Sequence, residues 1–239
     1  MAAGSEMELA GHQGAVYCLA AGSNMLFSGG HDKTIRVYSY DAAAGAFAPS
    51  ATMQAHEQAV LVLEVVEGFL FSGGAEGHIK VWDLAQGVCV QDIAAHTGHL
   101  VMELVFWEQH LLSCAMDGKV KVWASNAATA ASPNFQLLQT FPPEDPGGGG
   151  VFGGRQEAAG DESPLVSICG CADGAGQPVL LASHNDSKIK LLALPSFQPR
   201  GECFLPSGQY ARALAYGPGG MFFTGDSDGV VKCWRFATA

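Results

Sequence analysis

Four residue types return in the same order along this chain, and that periodicity restricts the fold more than any local motif does. The clearest copy runs from His96 to Trp123, HTGHLVMELVFWEQHLLSCAMDGKVKVW. Leu111, Leu112 and Ser113 lead into a turn at Met116-Asp117-Gly118. Val120, Val122 and Trp123 follow, with Lys119 and Lys121 between them. Apolar/polar alternation on both sides of an Asp-Gly pair predicts a β-hairpin. Aligned on Trp123, the other copies place Tyr38, Trp82, Leu192 and Trp234 at intervals of 44, 41, 69 and 42 residues along the chain. Asp32, Glu76, Asp117, Asp186 and Asp228 stand six residues before each anchor, and Ser28, Ser72, Ser113, Ala182 and Thr224 stand ten before. A His precedes the first three anchors by 26 or 27 residues, as His12, His56 and His96.

Each unit carries several short alternating runs, such as AVYCLA, MLFSGG, IRVYSY and AFAPSATM in the first. We therefore predict an all-β single domain over residues 1–239, with units at about 7–53, 54–93, 94–141, 162–206 and 207–239. Residues 1–5 are expected to fray. The 69-residue interval is explained by PPEDPGGGGVFGGRQEAAGDESP between Pro142 and Pro164, too Gly- and Pro-rich to offset its ordering entropy. This insertion (142–164) reads as a surface loop, or as a docking segment. Met7 to Ala10 reads as a short strand that completes the last unit. A net charge of −11 with 12 Lys and Arg opposes a non-specific grip on phosphates or anionic membranes. No apolar run is long enough to span a bilayer. Seven scattered cysteines suit a reducing compartment, cytoplasmic or nuclear, better than a disulfide framework.

The endings Ile79-Lys80-Val81-Trp82-Asp83 and the opening Gly11-His12 resemble WD repeats, which fold as four-stranded blades of a β-propeller. The resemblance covers nearly the whole chain. It implies five blades here, either a shorter ring closed by Met7 to Ala10 or part of a ring of about seven begun upstream. It also implies a buried Trp–Ser/Thr–His–Asp tetrad in each blade. Carried over residue by residue, the tetrad is complete only as His96, Ser113, Asp117 and Trp123. Unit one has His12, Ser28 and Asp32 with Tyr38 for Trp, and unit two has His56, Ser72 and Trp82 with Glu76 for Asp. Unit five keeps Thr224, Asp228 and Trp234, and unit four keeps only Asp186. The runs LVFWEQHLLSCAMDGKVKVWA, LPSFQPRGECF and GPGGMFFTGDSDGVVKCW further resemble the C-terminal propeller of plant CCCH-type zinc-finger WD-repeat proteins. Those proteins are thought of as RNA-associated through fingers that have no counterpart in this sequence.

His96, Ser113 and Asp117 contain the residue types of a hydrolase triad, but a catalytic set is assembled once whereas these positions recur. No Walker loop, His-Glu-X-X-His or nucleophile elbow is present. Cys169-X-Cys171 supplies only two of the four ligands of a zinc site. We therefore expect no catalysis, cofactor, metal or small-molecule substrate, and a protein-interaction scaffold; an RNA-associated accessory is the alternative. In WD-repeat proteins the partner is usually taken by the face that carries the strand starts and the residue before the tetrad acid. By matching position the resemblance implies Tyr17, His31, Leu61, His99, Met116, Asn185, Tyr210, Arg212 and Ser227, with Ala75 at the remaining equivalent place. A ubiquitin-ligase receptor role is disfavoured, because Trp82-Asp83-Leu84 is followed by Ala85 rather than Arg.

Overall fold

The computed structural model describes residues 7–22, 24–125, 133–142, 163–206 and 208–236. They form strands and no helix. The chain divides into two compact units, Met1–Val101 and Met102–Ala239.

The first unit holds two four-stranded antiparallel sheets. One is β1 (Val16–Gly22), β2 (Met25–Gly30), β3 (Thr34–Asp41) and β4 (Ala46–Gln54); the other is β5 (Val60–Val66), β6 (Phe69–Gly74), β7 (Ile79–Asp83) and β8 (Val88–Ile93). Strands pair in sequence order, as short hairpin connections dictate. Between the sheets lie Phe27, Ile35, Val37, Ala55, Val60, Leu63, Leu70 and Trp82, all buried. β-Branched and aromatic residues at alternate positions fill this layer because successive side chains in a strand point to opposite faces.

The second unit contains a sheet of β9 (Val101–Trp107), β10 (His110–Ala115), β11 (Val120–Ser125) and β12 (Phe135–Phe141). Next comes β13 (Leu165–Ala172), β14 (Pro178–His184), β15 (Lys188–Ala193) and β16 (Pro199–Phe204). A three-stranded sheet of β17 (Ala211–Gly217), β18 (Met221–Asp226) and β19 (Val231–Arg235) ends it. Leu112, Val120, Leu165, Ile168, Leu180 and Leu192 pack between the first two of these sheets; Val179, Leu181, Ile189, Ala211 and Phe222 pack between the last two. These repeated sheets are the blades of the all-β propeller class, numbered one to five in chain order. The hairpin at Asp117-Gly118 closes as expected, with Gly118 at φ 76° and its N–H donating to the Ala115 carbonyl at 3.1 Å.

One expectation fails. Met7 to Ala10 is not a strand, and the last sheet has three strands rather than four. Met7 is half exposed, and a four-residue segment gains too few ladder contacts by itself to offset the entropy of ordering it on an edge. Residues 1–6 and 143–162, which carry the expectations of fraying and of the long insertion, lie outside the described residues.

Candidate functional site

Two kinds of site grow from the repeated positions: a polar network inside most blades, and a rim at the start of the first strand. In the first blade Nδ1 of His12 lies 2.9 Å from Asp32 Oδ1, and Nε2 lies 2.8 Å from the Ser28 hydroxyl. Asp32 also accepts the backbone N–H of Gln13 and Thr34, and the Thr34 hydroxyl. Burial opposes its ionisation, but these donors outweigh it and hold its carboxyl well below the usual carboxylate range. Tyr38 is buried at the Trp position.

The second blade carries a continuous network despite its Glu. Trp82 Nε1 donates to Ser72 Oγ at 2.9 Å, Ser72 lies 2.7 Å from His56 Nε2, and His56 Nδ1 meets Glu76 Oε1. One proton order runs through all three contacts: indole to hydroxyl, hydroxyl to Nε2, Nδ1–H to carboxylate. That order needs a neutral imidazole. Burial lowers the His56 pKa accordingly, against the opposing pull of Glu76. Gly74 makes room for the longer acid, since a Cβ there would stand 2.4 Å from Glu76 Oε2 and 2.5 Å from His56 Nδ1. The sequence spacing placed all four residues, with Glu76 where the tetrad has Asp; the room that Gly74 leaves for the longer acid is seen only in the structure.

In the third repeat Trp123 Nε1 donates to Ser113 Oγ at 2.9 Å, and Asp117 accepts the Lys119 N–H at 3.0 Å. His96, which belongs to the first unit, is buried and donates its N–H to the Gly77 carbonyl at 2.8 Å. The fourth blade is apolar where the others are polar, with Ala182 and Leu192 buried. Its Asp186 accepts the Lys188 N–H at 3.2 Å, and Ser183, one residue along from the tetrad position, donates to the Ala211 carbonyl at 2.8 Å. In the fifth blade Trp234 Nε1 reaches Thr224 Oγ1 at 3.0 Å. There Gln209 stands in for the missing His, donating to Asp228 at 2.7 Å. The buried carboxylate of that blade is Asp226, which accepts the backbone N–H of Asp228 and Val230 and pairs with Lys232 at 3.1 Å. Neither Gln209 nor Asp226 follows from the repeat pattern.

At the rim, the register of the first two strands shifts at Tyr17, Leu61, Val166 and Arg212, in the first, second, fourth and fifth blades. Such bulges re-aim the side chain of the extra residue. A second contact recurs beside each bulge. The N–H of His31, Ala75, Asn185 and Ser227 donates to the carbonyl of Ala15, Ala59, Pro164 and Tyr210, at 2.8–3.2 Å. The residue before each acid is thus tied, blade by blade, to the residue leading into the bulge.

In the first unit this leaves Tyr17 49% exposed, its ring 6.3 Å from that of His31. Leu61 is half-buried, and His99 is exposed with its N–H on the His96 carbonyl at 2.9 Å. In the second unit the Arg212 guanidinium sits 5.5 Å from the Tyr210 ring centroid and donates to its hydroxyl at 3.0 Å. Asn185 and Ser227 are exposed there, and Met116 is half-buried in its turn. Val166, which the sequence left unplaced, is buried at its bulge.

No group of three or more His, Cys, Asp or Glu is placed to hold a metal ion among the described residues. Cys169 and Cys171 lie on β13 against the apolar layer of the fourth and fifth blades. Burial, with the neighbouring Cys169 and Asp173, pushes Cys171 up to about 12, and burial raises Cys169 as well. Both are thiols at neutral pH, the form that neither ligates nor attacks.

Comparison with known proteins places these features in a wider set. The chain matches the family described as WD domain, G-beta repeat over residues 4–39, 47–83, 87–124 and 200–235. It is 37% identical to zinc finger CCCH domain-containing protein 17 of Oryza sativa subsp. japonica, over 97% of this chain and 48% of the relative. It is 36% identical to the zinc finger CCCH domain-containing proteins 48 and 63 of Arabidopsis thaliana, over 98% of this chain and 49% and 48% of theirs. The chain therefore spans about half the length of these curated relatives.

Proposed function

This chain belongs to the WD domain, G-beta repeat family, and from that premise we propose that it is a non-catalytic scaffold whose bulged rims hold protein partners. The carrying observation is the exposed Arg212 held on the half-buried Tyr210 at the bulge of the fifth blade, with Tyr17 exposed at the equivalent bulge of the first. Arg and Tyr are enriched among residues that dominate binding energy, because each combines apolar area with a hydrogen-bonding tip. The backbone clamp beside each bulge limits the ordering entropy that binding would otherwise cost.

In the second blade the tetrad side chains hydrogen-bond one another inside a buried layer, which supports a structural rather than a catalytic role. None of the seven cysteines is in a disulfide among the described residues, which supports a reducing compartment, cytoplasm or nucleus. The net charge of −11 weighs against the RNA-associated alternative.

The test is a photo-cross-linking residue placed in cells at positions 17 and 212, with outer-strand positions 136 and 202 as controls. The scaffold reading expects the rim positions to capture a defined set of proteins that the controls miss, and Arg212→Ala to release those held at the fifth blade. Equal capture at all four positions would sink it. Capture of RNA instead, weakening steeply with salt, would favour the alternative.

A further inference from the structure

The outer strands β4, β8, β12 and β16 each end their sheet, so among the described residues each presents one edge of unpaired N–H and C=O groups. Folded proteins blunt such edges with proline or charge. β4 carries Pro49, β8 carries Asp92, and β16 carries Pro199, Arg200 and Glu202. β12, with the sequence FQLLQTF, carries neither. Leu137 and Leu138 are 49% and 62% exposed on it, and Gln136 and Gln139 are exposed beside them. The strand lies mid-chain, inside the second unit, and pairs with β11 of its own sheet.

A bulge gives this edge a symmetry that its sequence matches. Trp123 lies opposite Leu137 and Val122 opposite Gln139, so Leu138 is the extra residue. Opposed residues share a sheet face, and successive residues of a regular strand take opposite faces. Gln136, opposite Ala124, and Gln139, opposite Val122, therefore share one face. Phe135, Leu137 and Thr140, opposite Ser125, Trp123 and Lys121, share the other. A regular strand would put residues three apart on opposite faces. From the midpoint of Leu137 and Leu138, β12 reads leucine then glutamine in both directions, and then Phe135 on one side and Thr140 on the other.

We propose that β12 pairs edge to edge with β12 of a second copy of this chain, antiparallel about a two-fold axis between Leu137 and Leu138. In that register Leu137 meets Leu138, Gln136 meets Gln139 and Phe135 meets Thr140 across the axis. Two-fold pairing requires residues equally distant from the axis to share a face, and the bulge supplies that match. A strand from another protein would require no such match, and this selects the second copy. The contact is isologous and closes at two copies. β12 is uncharged, so the pairing sets no like charges opposite one another. A net charge of −11 per copy opposes the encounter, so added salt strengthens it by screening.

The experiment is mass measurement by analytical ultracentrifugation across a concentration series, on the whole chain and two double variants. One carries Gln136→Lys with Gln139→Lys, the other Gln136→Glu with Gln139→Glu. The wild type is expected to rise from monomer to dimer mass and stop there, at lower concentration when salt is added. Each variant alone sets like charges opposite one another across the axis, and its association is at least about tenfold weaker. Mixed in equal amounts, the variants set opposite charges together and a one-to-one dimer returns.

Both positions are exposed, so both variants should fold. A photo-cross-linking residue gives a second readout on the unmutated edge. At position 136 it should capture a second copy of this chain, distinct from the partners held at the rim, and at position 202 on β16 it should not. A wild type that stays monomeric, or one that grows past the dimer, overturns the proposal. A variant that dimerises alone as the wild type does, or a mixture that stays monomeric, overturns it equally. Capture of a different protein at position 136 in place of this chain would give the edge to a foreign strand.

Discussion

The second and fourth blades put different chemistry at the same positions and arrive at the same four-stranded sheet. In the second, Trp82, Ser72, His56 and Glu76 form a buried hydrogen-bonded line across the strands. In the fourth, Leu192 and Ala182 occupy the Trp and Ser places, 2% and 1% exposed, and Leu192 pairs with Leu180. A buried polar network is stabilising only when every member is satisfied, and replacing both partners by apolar groups of suitable shape is close to neutral. The two blades are two solutions to one constraint, partners for the polar atoms of the layer, which the second meets at every group but Glu76 Oε2. The family signature reads only the first solution. Its matched stretches omit β13 to β15, although they form an ordinary sheet.

The largest expected effect breaks the apolar solution. Leu180 is fully buried among Leu112, Ile168 and Leu192, and Leu180→Ala should cost about 3 kcal/mol, the transfer of the lost methyls plus the cavity they leave. Hydrogen exchange read by peptide would place the loss in β13–β16. If protection there survives while β5–β8 loosens, the fourth blade is not held by its own apolar layer.

A reciprocal swap sharpens the comparison. Ser72→Ala strands both the Trp82 N–H and the His56 ring nitrogen, at about 2 kcal/mol, while Ala182→Ser buries a hydroxyl beside leucines, at about 1–2 kcal/mol. Urea midpoints of both variants should fall. A neutral Ala182→Ser would mean that the fourth blade still offers a partner for the missing hydroxyl.

Much of this contrast was legible in the sequence. Alternation and turn residues announced several short strands in each unit, because side-chain period and turn chemistry are local properties. Leu192 and Ala182 stood at their positions by spacing alone. What was not legible depends on backbone placed from afar. Glu76 reaches His56 only because Gly74 leaves its Cβ position empty, and Gln209 reaches Asp228 from a loop whose path no periodicity specifies. The strand expected at Met7 to Ala10 failed for the same reason: an edge strand is decided by its neighbour rather than by its own four residues.

A smaller effect tests how Glu76 differs from Asp32. Asp32 uses both oxygens, one of them on the Gln13 N–H, whereas Glu76 Oε2 is buried without a hydrogen-bond partner. Both acids follow their His by 20 residues and both follow a glycine by two. Glu76→Asp should therefore let the shorter acid take up the loop N–H and stabilise the chain by about 1 kcal/mol. An unchanged or lower urea midpoint would show that the loop after His56 cannot adopt the path taken after His12.

The smallest effect is the pH response. Burial lowers the pKa of His56 in the second blade, against Glu76, and of His184 in the fourth, against the Ser163 carbonyl. In the unfolded chain each imidazole takes a proton below its ordinary value of 6.5, while in the folded chain each stays neutral to lower pH. The unfolded state then binds more protons, so stability is full above that value and falls as pH drops below it. Carboxylates such as Asp32, also held below their ordinary range, add to the loss only in stronger acid, so the interval between about pH 7.5 and 5 isolates the imidazoles. His56→Gln and His184→Gln should each flatten the slope of midpoint against pH over that interval, and the double variant should flatten it further. If His56→Gln alone removed the whole slope, only the polar blade would respond to acid. If neither variant changed it, His56 would be carrying its proton in the folded state as an ion pair with Glu76, and the neutral proton order running from Trp82 to Glu76 would be wrong.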